Sequence, residues 1–194
     1  MSTAIARLKV VLDDVEPAVM RRIEVPLSLR LDRLHTVLQA ALGWTDSHLW
    51  EFRFGEVGFG LPDPGGWGIG DGPLDARKAT LRAALHDSGR KSFTYLYDFG
   101  DSWRHSIKVE AVAAAHPGIT YPFLIGATGR CPPENVGGPP GYSDFLEAIA
   151  DPAHDRHDEL IEWAGGTFDP NQVDTTAIDH ALALLAKRWS RRKA

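Results

Sequence analysis

The sequence has 194 residues, of which 43% are hydrophobic and 24% charged, and this composition is typical of a soluble globular domain rather than a disordered chain. A net charge of −5 argues against a general nucleic-acid-binding protein, which needs a basic surface. A lone cysteine cannot form an internal disulfide, and no stretch approaches the roughly 18 apolar residues that span a bilayer, so we expect a cytoplasmic protein without a membrane partner.

The N-terminal third predicts two strands and a helix. Residues 4–12 alternate apolar and polar side chains, and residues 18–26 form a second extended run, so the two are expected to pair in antiparallel fashion. From Leu31 the apolar residues recur every three or four positions, which predicts an amphipathic helix. Asp32 is the expected N-cap, and Gly43 is expected to end the helix.

The middle of the chain predicts a second group of strands. Residues 51–55 are a third strand, and the Gly-rich residues 55–73 are expected to form a loop that includes a short hairpin. A short helix is predicted at 79–86. The aromatic-rich residues 91–99 then form a strand that turns back into a partner strand at 103–112. In that partner strand the alternation places His105 on the inward, more apolar face.

The C-terminal part predicts helices that follow an irregular segment. Residues 116–142 are rich in Pro and Gly and predict little regular structure. Helical patterns follow at 142–151, where Ser143 is the expected cap, at 154–164, and at 175–189.

Strands that come first and helices that come last predict an α+β fold. We expect a mixed, mostly antiparallel sheet with a β-grasp-like ββαβ start, one helix across a face, and helices at the C-terminus. The sequence is interpreted as a single domain over residues 1–194, sheet-rich in residues 1–112 and made of loop and helix in residues 113–194.

Five segments, in order over roughly residues 5–180, together resemble the plasmid pRiA4b ORF-3-like family: PAVMRRIEVP, LHTVLQAALGWTDSHLWEF, YDFGDSWRHSIKVE, CPPENVGGPPGYSDFLEAI and WAGGTFDPNQVD. The resemblance implies an α+β fold and an association with plasmids and other mobile elements, and it implies no particular activity. The family commonly has an aspartate where Asn135 stands, so this chain lacks one carboxylate in the segment that follows Cys131.

The YDFGDSWRH segment contains the main candidate site. Asp98 and Asp101 flank a Gly turn, and His105 follows on the returning strand, so these three residues could act as a catalytic acid/base set. Together with Glu134 they are also the candidate ligands of a divalent metal ion, the one cofactor that the sequence suggests. The alternative is structural, because Asp and Gly are favoured turn residues and Asp98 can bond the backbone two residues on.

Two further motifs have competing interpretations. Cys131 is either a small buried apolar residue or a nucleophile that needs a histidine beside it. His154 and His157 are three residues apart, which on a helix would place both on one face as metal ligands, although exposed histidines on a charged helix are the more common case.

The sequence therefore leaves two functions open. The first is a binding or interaction domain with a protein partner, connected with mobile-element biology. The second is a metal-dependent hydrolase or nuclease-like enzyme that uses Asp98, Asp101, His105 and Glu134. The net charge does not support a nucleic-acid partner.

Overall fold

A computed structural model describes residues 4–62 and 72–190. Its strands are β1 (Ala4–Leu12), β2 (Val19–Pro26), β3 (Trp50–Phe54), β4 (Val57–Gly60), β5 (Leu74–Asp75), β6 (Ser92–Tyr97), β7 (Trp103–Ala114) and β8 (Phe123–Thr128). Its helices are α1 (Leu31–Leu42), α2 (Leu81–Ser88), α3 (Gly138–Ala150), α4 (His157–Trp163) and α5 (Thr175–Ser190).

The eight strands form one sheet in the order β5-β4-β3-β6-β7-β1-β2-β8. Neighbouring strands run antiparallel, with the exception of the parallel pair β4 and β5. This arrangement confirms the predicted α+β fold with a mixed, mostly antiparallel sheet. The chain opens in the predicted ββαβ order, but β6 and β7 lie between β3 and β1 in the sheet.

One face of the sheet is buried and the other is exposed to water, as the period-two pattern predicts. In β7, Trp103, His105 and Ile107 are buried, whereas Arg104 and Lys108 are exposed. The inward placement of His105 is thus confirmed, and the polar outer face is held by ion pairs such as the one between Arg22 and Glu110 at 2.8 Å.

Helix α1 covers the buried face through an apolar stripe. Leu31, Leu34 and Leu38 are fully buried, and each contributes roughly 1.5–3 kcal/mol of hydrophobic stabilisation. The predicted helix end is confirmed, since Gly43 adopts φ 83° and its N–H donates to the Gln39 carbonyl. The predicted N-cap is wrong: Arg30 is the N-cap, and Asp32 lies in the first turn, where it pairs with the Arg30 guanidinium.

Helix α5 packs against both α1 and the edge strand β8. Ile178, Leu182 and Ala186 are its buried residues. The guanidinium of Arg33 in α1 lies 5.1 Å from the centre of the Trp189 ring. Within residues 4–62 and 72–190, none of the helices has the length and hydrophobicity needed to cross a bilayer.

The segment predicted to be irregular, residues 116–142, contains a strand, β8, and the first residues of a helix, α3. Strand β8 pairs with β2, and α3 begins at Gly138, five residues before the predicted cap Ser143. Proline is tolerated in the first turn of a helix, where its missing N–H has no intrahelical partner, so the GGPPG sequence starts a helix rather than a loop.

Two other segments adjust the sequence-based picture. Helix α4 begins at His157, with His154 in a preceding turn, so the two histidines do not share a helical turn as predicted. The short hairpin expected near Gly55 is confirmed by the β3–β4 pair. The rest of the predicted Gly-rich loop falls largely on residues 63–71, which lie outside the described residues.

Candidate functional site

Three chain segments meet at one end of the sheet, and we call this surface the polar junction. It consists of residues 45–49, which precede β3, residues 98–102, which join β6 to β7, and residues 134–138, which lead into α3. The first two segments meet because β3 and β6 are antiparallel neighbours and Trp50 is opposite Tyr97. Residues before Trp50 and after Tyr97 therefore leave the sheet at the same end.

Asp98 organises the turn between β6 and β7. Its Oδ1 accepts hydrogen bonds from the N–H groups of Gly100 at 2.9 Å and Asp101 at 3.3 Å. Its backbone carbonyl accepts from the Ser102 N–H at 2.6 Å. The expected bond from Asp98 to the backbone two residues on is therefore present, and its second carboxylate oxygen lies 3.4 Å from Nε2 of His48.

Asp101 ties this turn to the third segment. Its Oδ2 accepts a hydrogen bond from the Gly137 N–H at 3.2 Å. The backbone of the next residue approaches so closely that a Cβ on Gly138 would lie 2.4 Å from the Asp101 carbonyl oxygen. A side chain there would collide with main-chain atoms, so glycine is the residue that this contact requires.

Glu134 is held by the other two segments. The Tyr97 hydroxyl donates to its Oε1 at 2.5 Å, while the backbone N–H and the hydroxyl of Thr45 both donate to its Oε2. The Ser47 N–H donates to the Tyr97 hydroxyl at 3.0 Å. Burial first, and the bond to Glu134 second, raise the pKa of Tyr97 above its usual value, so the phenol keeps its proton.

His105 lies below the junction in the aromatic core. It is fully buried, and its Nδ1 lies 3.1 Å from the Trp103 carbonyl and 3.3 Å from the Tyr95 carbonyl, so Nδ1 carries the proton. Its Nε2 is buried without a partner among the described residues. The Trp44 ring packs edge-on against the imidazole at 5.4 Å.

Burial lowers the pKa of His105 to about 4, although its bonds to the two carbonyls oppose the shift. The imidazole is therefore neutral near pH 7. The imidazole that contacts the Asp98 carboxylate is His48 rather than His105.

The structure thus brings Asp98, Asp101 and Glu134 to one surface and places His105 beneath it. Each of the three carboxylates is engaged by backbone amides or by hydroxyls of the junction. In the part of the chain that the structure describes, no group of three or more His, Cys, Asp or Glu side chains is placed to hold a metal ion. The divalent metal and the catalytic roles remain predictions of the sequence.

Sequence reasoning missed His48, Asn135, Tyr97 and Thr45. The Nε2 of His48 lies 3.1 Å from Oδ1 of Asn135, so the amide of this residue has a partner in the junction. The TDSH sequence after Gly43 carried a local signal, since Thr, Asp and Ser favour turns. Nothing local indicated that this turn would meet residue 134.

The two outlying motifs lie elsewhere. Cys131 is buried, as the apolar interpretation predicts, and burial raises the pKa of its thiol to about 11. His154 Nδ1 accepts the Arg156 N–H at 3.1 Å, and the His157 ring contacts the Ala148 carbonyl at 3.0 Å. The two imidazoles therefore have separate local roles.

Comparison with known proteins agrees with this fold and with the segments that form the junction. Residues 4–177 match the family model described as plasmid pRiA4b ORF-3-like protein. The chain belongs to the plasmid pRiA4b ORF-3-like family. All three segments of the polar junction lie inside the matched residues.

Two relatives of this family member are informative. "Uncharacterized protein y4hQ" of Sinorhizobium fredii (strain NBRC 101917 / NGR234) is 55% identical over 193 residues, which cover 99% of this chain and 97% of that protein. The crystal structure of the protein of unknown function MM3350 from Methanosarcina mazei Go1 is similar with a TM-score of 0.79 and 29% identity. That similarity covers 90% of this chain and 97% of the crystallised one.

Proposed function

We propose that this chain is a binding module that docks a basic, partly apolar segment of a partner protein on the polar junction. The observation that carries the proposal is a concentration of left-handed backbone in the junction. Among the described residues, five that are not glycine have a positive φ, and four of them lie there: Asp46, Asp98, Ser102 and Asn135.

Left-handed conformations are uncommon for residues with a Cβ, and each costs on the order of 1–3 kcal/mol unless the surroundings compensate. Asp and Asn tolerate this conformation better than most residues, which keeps the cost at the low end. Here the surroundings fix the backbone through hydrogen bonds, such as the Asp46 N–H to Oε1 of Gln39 at 2.9 Å. Strained loops fixed in this way are typical of binding and catalytic surfaces.

The chemistry of the surface indicates the kind of partner. Two large apolar side chains project from the junction, since Leu49 is 64% exposed and Phe99 is 49% exposed. The segments that carry Leu49 and Phe99 lie side by side, because the Asp98 N–H donates to the Leu49 carbonyl. The same segments carry Asp46, Asp98 and Asp101, and a chain of net charge −5 attracts cations at long range. A partner segment that combines Lys or Arg with apolar side chains complements these features.

We further propose a cytoplasmic location and an association with mobile elements. The location is supported by the single cysteine, because one cysteine cannot form the internal disulfides that are common in oxidising compartments. The association is supported by the plasmid named in the family description.

The alternative function is a metal-dependent hydrolase or nuclease-like enzyme that uses Asp98, Asp101, His105 and Glu134. It has less support, because His105 contacts backbone carbonyls in the core and the Glu134 carboxylate is already occupied by Tyr97 and Thr45.

Peptide binding tests the docking proposal directly. Fluorescein-labelled peptides of about fifteen residues that pair Leu and Phe either with Lys and Arg or with Asp and Glu are titrated with the protein, and anisotropy is recorded. We expect saturable binding of basic peptides only, weakened about tenfold or more in the double variant Leu49→Ser/Phe99→Ser. The matched control is Leu184→Ser, which removes an apolar side chain 53% exposed on α5.

Equal binding of acidic and basic peptides, or equal loss in the control variant, would contradict the proposal. Hydrolysis of a phosphodiester or ester substrate that depends on added Mg²⁺, Mn²⁺ or Zn²⁺ and is lost in Asp101→Asn would favour the enzyme.

A further inference from the structure

A cavity of about 910 Å³ lies on the inner side of the segment that carries Glu134. Its walls are the end of α1, residues 130–134 and the first turns of α5. A volume of this size is in the range of small-molecule sites. The side chains that matter for its chemistry are Arg21, Arg130, Cys131, Glu134, Asp174 and Trp44.

The guanidinium of Arg21 lies at the wall of this cavity. Arg21 is 2% exposed, on the buried face of β2, whereas its neighbour Arg22 pairs with Glu110 on the exposed face. Its Nε donates to the Ala41 carbonyl at 2.7 Å, and its Nη1 lies within 3.0 Å of the carbonyls of Met20, Thr128 and Gly129. Two of its three nitrogens are therefore well bonded.

The third guanidinium nitrogen of Arg21, Nη2, is poorly hydrogen-bonded. It has a single partner among the described residues, the Cys131 sulfur at 3.6 Å, and sulfur is a weak acceptor. None of the ion pairs in the part of the chain that the structure describes involves Arg21. A buried charge without a counter-charge is costly, and carbonyl dipoles offset only part of that cost.

A second cation lines the same cavity. Arg130 is exposed, its guanidinium stacks over the Phe168 ring at 4.3 Å, and it has no carboxylate partner among the described residues. The two carboxylates of the cavity wall are already engaged. Glu134 is bonded by Tyr97 and Thr45, and Asp174 accepts the Ala177 N–H at 2.9 Å as the cap of α5. The cations of the cavity are thus available to a ligand, whereas its carboxylates are committed.

A further polar group nearby lacks a partner. The Tyr142 hydroxyl is buried and makes no hydrogen bond with the described residues. Burial raises the pKa of Tyr142 to about 12, so the hydroxyl keeps its proton near pH 7.

We infer that this cavity binds a small molecule through an oxyanion group, a carboxylate or a phosphate, which Arg21 and Arg130 hold. Guanidinium N–H groups form charge-assisted hydrogen bonds with either oxyanion. Arg21 donates through Nη2, since its Nε and Nη1 are already bonded, and Arg130 donates through its exposed guanidinium. The cavity wall also includes Trp44 and Phe168, whose rings supply apolar surface for the remainder of the ligand.

The test titrates the full chain with sodium phosphate and, separately, sodium acetate, with sodium chloride at matched ionic strength as the reference. Two measurements follow binding: the melting temperature, and the arginine Nε–H signals in ¹H–¹⁵N spectra. A phosphate or acetate concentration about one hundred times its Kd is expected to raise the melting temperature by about 5–10 °C. The Arg21 and Arg130 signals are expected to shift along a saturable curve.

Three variants make the result specific. Arg130→Ala removes the exposed cation, and Ala181→Phe fills the cavity from a half-buried position of α5. Arg82→Ala is the control, an exposed arginine on α2 outside the cavity wall. Arg21 itself is left in place because its substitution would free four carbonyls.

Saturable binding of phosphate or acetate that weakens about tenfold in Arg130→Ala and in Ala181→Phe, but not in Arg82→Ala, supports the inference. The anion with the lower Kd then identifies the headgroup. Shifts no larger than those in chloride up to about 50 mM, roughly 500 times a Kd of 0.1 mM, overturn it. Binding that the cavity-filling variant leaves unchanged overturns it as well.

Discussion

The hydroxyl of Tyr97 and the carboxylate of Glu134, 37 residues apart in the chain, are joined by a hydrogen bond of 2.5 Å. Tyr97 is the last residue of β6, and Glu134 lies in the loop before α3. The bond therefore fastens the C-terminal part of the chain to the end of the sheet, and it holds the third segment of the polar junction in place.

Tyr97→Phe is expected to destabilise the protein by about 1–3 kcal/mol, because it leaves Glu134 and the Ser47 N–H without their shared partner. The melting temperature should fall by roughly 3–10 °C in calorimetry. Tyr121→Phe is the matched control, since that hydroxyl bonds the His116 N–H in an exposed loop. Its effect should stay within about 0.5 kcal/mol. Equal losses in the two variants would contradict the role of the Tyr97–Glu134 bond.

Gly138→Ala is expected to cost about 3 kcal/mol or more, because its Cβ would lie 2.4 Å from the Asp101 carbonyl oxygen in addition to the unfavourable φ of 68°. Gly118→Ala separates the two effects, since φ is 81° there and nothing lies within 4 Å of the added Cβ. This control should cost only about 1–2 kcal/mol. Urea unfolding measures the free energy of unfolding of both variants. A loss in Gly118→Ala as large as that in Gly138→Ala would show that the Asp101 contact is unimportant.

The buried His105 should make stability depend on pH. Its pKa is about 4 in the folded protein and 6.5 in the unfolded chain, so between these values the unfolded chain binds more protons. Stability is expected to be complete above pH 6.5 and to fall by up to about 3 kcal/mol as the pH approaches 4.

In His105→Phe this part of the pH dependence should disappear from urea titrations, whereas His180→Gln, at an exposed position of α5, should keep it. Burial also lowers the pKa of His35, so a slope of the same sign from that residue remains in both variants. An unchanged slope in His105→Phe would show that the imidazole does not titrate as its burial requires.

Substitutions of Asp98 separate the turn from the metal hypothesis. Asn retains a side-chain oxygen for the Gly100 N–H and tolerates the φ of 55°, so Asp98→Asn should change stability by less than about 0.5 kcal/mol. Asp98→Ala loses both properties and should cost about 1–2 kcal/mol. Thermal melts with and without EDTA, together with metal analysis of protein purified without a His-tag, complete the test. A metal that stabilises the natural chain and is lost in Asp98→Asn would support the metal centre.

The sequence predicted the elements whose patterns are local. β1, β2 and α1 were found because their apolar residues repeat with periods of two and of three to four. β8 and the start of α3 were missed because Pro and Gly, which usually interrupt structure, stand at a sheet edge and in the first turn of a helix. His48 was missed for another reason. Its partners Asp98 and Asn135 are distant in sequence, and only the folded chain places them beside it.

Residues Cys131–Glu134 form a short partition with a different neighbour on each side. Cys131 contacts Arg21 at the cavity, whereas Glu134, in the polar junction, contacts Tyr97 at the end of β6. The two prolines between Cys131 and Glu134 have φ restricted to near −65° by their rings. Because its backbone is restricted, a displacement of this segment at Cys131 is expected to move Glu134 as well. If both proposed sites bind, a cavity ligand that displaces this segment would change the affinity of the docked partner, and thermodynamic reciprocity would require the partner to change the affinity of the ligand by the same factor.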